Sequence, residues 1–472
     1  MSKRQFGMIG LGTMGRNFLL NVAEHGFTCV GYDLDDRKRQ LLVDEGAEFS
    51  VAAANNLSSF IAELERPRKI MLLVPAGPIV DSVIHELRPL VDKGDIVIDG
   101  GNSHFGDTER REGLLNADGI EFLGVGVSGG EKGARHGASI MIGGRPETYE
   151  HVRPILEAAS AKVKGEPCAA HVGNSSAGHF VKMVHNGIEY GLMQLIAETY
   201  DLLRRGYRMD NAQIGELFAE WDKGELNSFL IEISSIVLRK VDAESGRTLV
   251  DLILDTAGQK GTGKWTSQIA MDLGVPVPTI DSAVTMRQIS ALKPERVAAA
   301  AKLQIATDEL SVSDELRSST NEFVRDGLHL AFITTYAQGM TLLRAASVEK
   351  KFELDMVEIA KIWRGGCIIR AALLESIRQA FVSDPDLSNI LVADVFVPVI
   401  RKEQAQLKAF VHFAASSDIP CMAAAASLNY LKAMSTERLP ANLIQAQRDF
   451  FGAHTYLRLD REGVFHTPDW DV

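Results

Sequence analysis

Along the first third of the chain, short apolar runs alternate with longer mixed segments. Residues 6–9, 29–32, 69–74, 96–99 and 122–125 are rich in Val, Ile and Leu, and each run gives way to a glycine or polar turn. The segments between them have helix length and mixed character. Strand and helix in alternation predict a doubly wound parallel sheet with helices on both faces. The small, polar stretch Val172-Gly173-Asn174-Ser175-Ser176 marks a boundary. From about residue 178 to 433 the texture becomes helical throughout, with Ala, Leu, Glu and Arg at helical spacing. The remaining segment, 434–472, contains aromatic and basic residues with little periodicity, and predicts an extended tail that must pack on something. The expected organisation is an α/β domain over 1–177, an all-helical domain over 178–433 and a tail over 434–472.

The helical part repeats itself. Asn186-Gly187-Ile188 opens a segment reaching Leu202-Leu203, and Asp326-Gly327-Leu328 opens one reaching Leu342-Leu343. Trp221 with Gly224 is matched by Trp363 with Gly366. An offset of about 140 residues in both pairs predicts a duplicated helical unit.

Composition changes the picture only by exclusion. The chain has 472 residues, 46% hydrophobic and 24% charged, which is ordinary for a globular protein of two or three domains. Lys plus Arg total 50 against 62 Asp plus Glu, a net charge of -12. That balance argues against a surface made for nucleic acid or anionic lipid, while one basic pocket for a small anion remains compatible with it. Cys29, Cys168, Cys367 and Cys421 show no metal-ligand spacing, so no disulfide framework and no metal are expected. Lys3 and Arg4 run straight into the first strand, and no apolar stretch reaches membrane length, which predicts a cytoplasmic location.

Gly10-Leu11-Gly12-Thr13-Met14-Gly15 follows a predicted strand and opens a predicted helix. In that context a GxGxxG sequence cradles a pyrophosphate: the first glycine allows the turn, the second lets the backbone approach, and the third packs helix on strand. Asp33 lies about twenty residues further on, where a carboxylate binds ribose hydroxyls and repels a 2′-phosphate. Arg37, Lys38 and Arg39 offer cations to such a phosphate, but a charge run at a helix start is more often a solvated face. The residues therefore favour NAD, with NADP use left open.

At 100° per residue, Lys182, His185, Asn186 and Glu189 fall within roughly a quarter turn of an otherwise apolar helix. Buried charges are costly unless paired, so such a stripe predicts the wall of a cleft. A desolvated Lys serves as a base and a neighbouring Glu as an acid, with no metal required. The bland alternative is a solvated face with a Lys–Glu pair.

Six segments together resemble the 6-phosphogluconate dehydrogenase family, within the β-hydroxyacid dehydrogenases. They are Gly10 to Gly15, Asp99-Gly100-Gly101-Asn102-Ser103, Val127-Ser128-Gly129-Gly130-Glu131, Lys182 to Tyr190, Gly258 to Trp265, and Gln447 to Tyr456. The resemblance spans essentially the whole chain and implies decarboxylating oxidation of 6-phosphogluconate in the pentose phosphate pathway. By it, Lys182 takes the C3 hydroxyl proton as hydride leaves C3 for the nicotinamide, then polarises the keto group, and Glu189 protonates what becomes C1 of the pentose product after CO₂ departs. Ser128, Gly129 and Gly130 would hold the carboxylate; Asn102, His185 and Asn186 would bind hydroxyls. Tyr190, Lys260, Thr262 and Arg287 would surround the phosphate, joined by Arg448 and His454 from the tail of the other subunit of a homodimer. The dinucleotide would lie against Gly10, Leu11, Gly12, Thr13, Met14, Gly15, Asp33, Leu34, Val74, Pro75, Ala76 and Asn102.

Two departures bear on the coenzyme. Asp33-Leu34-Asp35 stands where NADP-dependent members usually carry Asn-Arg-Ser/Thr, which strengthens NAD over NADP. Pro75-Ala76-Gly77 stands where a lysine usually precedes Ala-Gly, so the cofactor phosphates lose a cation and a backbone donor. A third departure, Met141-Ile142-Gly143-Gly144 for Met-Pro-Gly-Gly, is expected to be neutral. The alternatives are a dehydrogenase for a different β-hydroxy acid and a non-catalytic dinucleotide-binding protein.

Overall fold

Each predicted apolar run becomes a strand because it is covered on both faces. The computed structural model describes residues 3–305 and 314–470, and side chains for all of these except 314–321. Ten strands belong to the first part of the chain: β1 (Phe6–Ile9), β2 (Cys29–Tyr32), β3 (Val51–Ala53), β4 (Lys69–Leu72), β5 (Ile96–Asp99), β6 (Glu121–Ser128), β7 (Ser139–Gly144), β8 (Lys162–Val163), β9 (Glu166–Pro167) and β10 (Ala169–Gly173). Eight form one sheet in the order β10-β7-β6-β5-β4-β1-β2-β3, and β8 with β9 makes a small hairpin. From β6 to β3 all neighbours are parallel. The expectation of a parallel sheet fails at one place: β7 runs antiparallel to β6, and β10 then follows β7 in parallel. A short turn and the helix Gly130–His136 return the chain too soon for a parallel crossover. Buried Phe6, Met8, Leu11, Phe18 and Leu123 lie in one core cluster, and Ile9, Val30, Phe60, Ile70 and Val97 in another.

After β10 the chain enters a 25-residue helix, Ala177–Asp201. Glycines on β6 make room for it. A Cβ on Gly124 would lie 3.1 Å from the His179 ring, and one on Gly126 would lie 2.4 Å from Lys182 Cβ.

The repeat appears as a shared order of elements. Ala177–Asp201, Asn211–Trp221 and Phe229–Arg239 are matched by Asp314–Lys350, Met356–Ile362 and Leu373–Ser383. The two copies join at equivalent points: Ser228 bridges Ala371, Phe229 N–H donates to Arg370 O, and Ala372 N–H donates to Asn227 O. On the second long helix, His329 pairs with Glu403 at 2.9 Å, and Asp326 with Arg325 at 2.7 Å and Lys402 at 3.7 Å.

The chain divides into two compact units, one ending at Ser427 and one starting at Leu428. The second contains the helix Ala441–Gly452 and a two-stranded sheet of Tyr456–Leu457 and Val464–Phe465. It is organised around the fully buried carboxylate of Asp449. Asp449 accepts hydrogen bonds from Thr455 N and His466 Nδ1 on one oxygen, and from Thr467 N and Trp470 Nε1 on the other. Among the described residues, no helix is long and apolar enough to cross a membrane, and no His/Cys/Asp/Glu group could hold a metal ion.

Candidate active site

The glycine loop between β1 and the helix Thr13–Glu24 turns as its sequence requires. Gly10 has φ 95°, and a Cβ there would lie 2.6 Å from the Leu73 carbonyl; one on Gly15 would lie 1.8 Å from Gly10 O. A Cβ on Gly12 would meet nothing within 4 Å, so that face is open for a ligand. Gly12 is also the N-cap and gives no side-chain cap. The uncapped helix start favours an anion. The cleft it faces measures about 660 Å³. Gly10, Gly12, Thr13, Met14, Gly15, Asp33, Val74, Pro75, Ala76 and Asn102 line it. Leu11 differs from the expectation: its side chain is buried in the core, and its amide donates to Asp33 Oδ2 at 2.8 Å.

Asp33 therefore stands at the loop with its carboxylate already aimed. Its Oδ1 accepts from Asp35 N at 3.0 Å, and Lys38 Nζ lies 3.4 Å from both oxygens. Burial pushes its carboxyl up, but the Asp35 and Leu11 amides and Lys38 outweigh burial and hold it below the usual range. Arg39 is engaged with Asp36 and the Asp33 carbonyl, and Arg37 is exposed. Leu34, 84% exposed, rims an adjoining apolar cavity of about 210 Å³ shared with Tyr32, Ile79 and Val83. That combination suits an adenine and a ribose diol, so a nicotinamide dinucleotide fits the donors present.

The polar stripe lies on the first half of the helix Ala177–Asp201 and reaches the same cleft through Asn186. Lys182 is 6% exposed, and its Nζ donates to Asn186 Oδ1 at 2.7 Å. His185 Nδ1 lies 3.0 Å from the same oxygen, and its Nε2 lies 3.3 Å from Ser128 Oγ. A proton on Nδ1 makes His185 a donor to Asn186 and an acceptor from Ser128. Asn186 Nδ2 donates to Thr262 Oγ1 at 3.0 Å. Burial drives the Lys182 ammonium below its ordinary range, against the attraction of Glu189, and holds His185 well below its own. Burial raises the Glu189 carboxyl, against Lys182 and Arg287. A base tending to neutral thus stands beside an acid tending to protonated.

The remaining candidates of the first unit gather around the stripe. Ser128 ends β6, and Gly129 and Gly130 turn from it with φ 128° and 61°. Lys260 lines the cleft, and its amide donates to the Tyr190 hydroxyl at 3.3 Å. The Arg287 guanidinium sits 3.5 Å above the Tyr190 ring and donates to Gly258 O. Arg448 and His454 belong to the second unit, where both are exposed; Arg448 donates to Gln445, and His454 meets the Phe451 ring edge-on.

Three contributors escaped the sequence reading. Trp265 lines the cleft and meets His104 edge-to-face at 5.0 Å. Trp363, fully buried, meets the His185 ring at 5.6 Å. Gly366 packs against the turn after β6: a Cβ on Gly129 would lie 2.4 Å from the Gly366 carbonyl. Trp363 and Gly366 were legible only as a repeat.

Comparison with known proteins agrees with this geometry. Residues 5–173 match the NAD binding domain of 6-phosphogluconate dehydrogenase, and residues 178–470 match the 6-phosphogluconate dehydrogenase C-terminal domain. The NADP(+)-dependent, decarboxylating 6-phosphogluconate dehydrogenase of Bacillus subtilis (strain 168) is 48% identical over 470 residues, covering 100% of both chains. The decarboxylating enzyme of Escherichia coli (strain K12) is 47% identical over 471 residues, again covering 100% of each. Among solved structures, 6-phosphogluconate dehydrogenase of Plasmodium falciparum, described as apo and in complex with NADP+ and with 6-phosphogluconate, superposes with a TM-score of 0.96. It is 41% identical, covering 98% of this chain and 100% of that one. Matched along its whole length, with the glycine loop and the Lys182–Glu189 helix facing one cleft, the chain belongs to the 6-phosphogluconate dehydrogenase family.

Proposed function

We propose that the chain oxidises and decarboxylates 6-phosphogluconate to ribulose 5-phosphate and CO₂, with NAD preferred over NADP. The observation that carries the reaction is the buried Lys182 in hydrogen-bond contact with Asn186, on the helix that also presents Glu189. When bound, the dinucleotide supplies the hydride acceptor for C3. Lys182, whose ammonium form burial disfavours, takes the C3 hydroxyl proton. As an ammonium it then polarises the C3 carbonyl, so the electrons of the breaking C1–C2 bond flow into an enediol as CO₂ leaves. Glu189 returns a proton to the carbon that has lost the carboxyl group.

Ser128, Gly129 and Gly130 hold the carboxylate, Asn102, His185 and Asn186 the hydroxyls, and Tyr190, Lys260, Thr262 and Arg287 the phosphate. Residues 1–177 serve as the dinucleotide-binding domain and 178–433 as the substrate and dimerisation domain. The tail, 434–472, completes the site of the partner in a cytoplasmic homodimer with Arg448 and His454. Exposed apolar side chains support the dimer: Phe451 at 71% and Leu457 at 77% in the tail, Ile253 at 61% and Leu303 at 66% on the helical part. Surfaces of this kind call for a partner.

The preference for NAD rests on Asp33, fixed by two backbone amides where a 2′-phosphate would meet its charge. The relatives include an NADP(+)-dependent enzyme, so coenzyme choice is the point to test. Initial rates with 6-phosphogluconate, measured with NAD and NADP at matched concentrations, should favour NAD. Faster turnover with NADP would keep the reaction and discard the role of Asp33. No turnover with either would favour another β-hydroxy acid.

A further inference from the structure

Arg111 has no place in the chemistry above, yet it is fully buried beside the cofactor cleft. It lies on the helix Phe105–Ala117, and its guanidinium reaches three separate segments. Nη2 donates to the Gly77 carbonyl at 2.9 Å. Nε donates to Asp81 Oδ1 at 2.8 Å, in the first turn of the helix Pro78–Leu87. Nη1 donates to Asp99 Oδ2 at 3.1 Å and to Ser103 Oγ at 3.0 Å. Asp99, itself fully buried at the end of β5, accepts from Ser103 Oγ at 2.7 Å and from Gly101 N at 3.1 Å.

These acceptors bracket the two turns that wall the cleft. Val74, Pro75 and Ala76 come from one, and Gly100, Gly101 and Asn102 from the other. Pro75 has no amide hydrogen to donate, and Gly77, at φ 96°, caps the next helix without a side-chain bond. A planar fork can satisfy acceptors on several segments at once, whereas an ammonium is a point charge that cannot span them.

We infer that Arg111 is a positioning residue for the dinucleotide: its guanidinium locks the turns 74–77 and 100–103 at the spacing the cofactor needs. The inference rests on nicotinamide dinucleotide binding and adds a determinant of affinity outside the residues that line the cleft. It also gives the buried Asp99 its role, as the anchor on the far side of that fork. Removing the cation would leave Asp99 buried and uncompensated, so truncation confounds position with stability, and the informative change keeps the charge.

The test is calorimetric titration of NAD into full-length parent, Arg111→Lys and Asp81→Asn proteins, with the thermal midpoint of each apo protein and steady-state kinetics alongside. Arg111→Lys should raise the Kd for NAD about tenfold, as a small misplacement of binding groups does, while the KM for 6-phosphogluconate and kcat at saturating NAD move less than about threefold. Asp81→Asn frees one arm and leaves the Arg111–Asp99 pair intact, so it should raise Kd by about threefold and stay folded if Arg111→Lys does not. A lowered thermal midpoint with unchanged Kd in both variants would make Arg111 a structural residue and overturn the inference. A parent protein that binds neither NAD nor NADP would overturn the cofactor reading, and this inference with it.

Discussion

Gly126 offers the most direct test of whether the catalytic helix is placed by the sheet beneath it. A Cβ built on Gly126 lies 2.4 Å from Lys182 Cβ, 3.0 Å from its Cγ and 2.9 Å from the Gly178 carbonyl. Ordinary contact begins near 3.4 Å, so Gly126→Ala must move the helix or the strand by about 1 Å. The clashing atoms are backbone and the root of a side chain, which cannot swing away. Overpacking of this kind costs about 1–3 kcal/mol of stability. A 1 Å displacement of a catalytic group costs about 100-fold in rate. Gly126→Ala should therefore fold with a lowered thermal midpoint and show kcat down by about two orders of magnitude, with NAD affinity near that of the parent. Absorbance of the reduced nicotinamide under saturating substrates gives kcat, and calorimetry gives cofactor affinity. A variant with the lowered midpoint but kcat within a few-fold of the parent would show that strand contact does not set the position of Lys182.

Two further predictions concern the base and the tail. Lys182→Met should abolish turnover while leaving cofactor binding intact; substantial residual activity would remove Lys182 as the base. Asp449→Asn should expose the C-terminal unit to proteolysis and, on the role proposed for Arg448 and His454, reduce activity; a protease-resistant, fully active variant would refute this. Acid should act on the same group. Burial pushes the Asp449 carboxyl up, but the donors from Thr467, His466, Trp470 and Thr455 prevail and hold it at about 2, below its usual 3.8. A depressed carboxyl adds stability above its unfolded value that is lost as pH falls through the folded one. Protease sensitivity of the parent tail should thus rise between about pH 3.8 and 2, and Asp449→Asn should lack that transition.

Much of this was legible from local patterns. The strands that precede the glycine loop, Asp33 and Asn102 announce themselves as apolar runs, and the Lys182–Glu189 stripe follows from helical spacing alone. What escaped depends on distant partners. Arg110 and Arg111 are neighbours in sequence and look alike there, yet Arg111 is fully buried and Arg110 exposed, because only Arg111 faces Asp99. Gly124 and Gly126 read as gaps in a strand until a helix lies across them. The reversal of β7 could not be read from its composition, because Ser139–Gly144 is as apolar as a parallel strand. Asp449 looked like one more acidic residue beside Arg448, since its four donors arrive from residues that follow it.

The shared order of helical elements also bears on why one polar stripe lies at a cleft and its counterpart does not. Moving Lys182, His185, Asn186 and Glu189 by the repeat offset lands on Glu322, Arg325, Asp326 and His329. Polar residues thus stand at corresponding places on both long helices. In the second copy three of the four are engaged in ion pairs, Asp326 with Arg325 and Lys402 and His329 with Glu403, while Glu322 is exposed. The helix Val397–Ser416, which supplies Lys402 and Glu403, packs along the second long helix. Cover separates the two stripes: the second is engaged by a neighbouring helix, and the first reaches a cleft through Asn186.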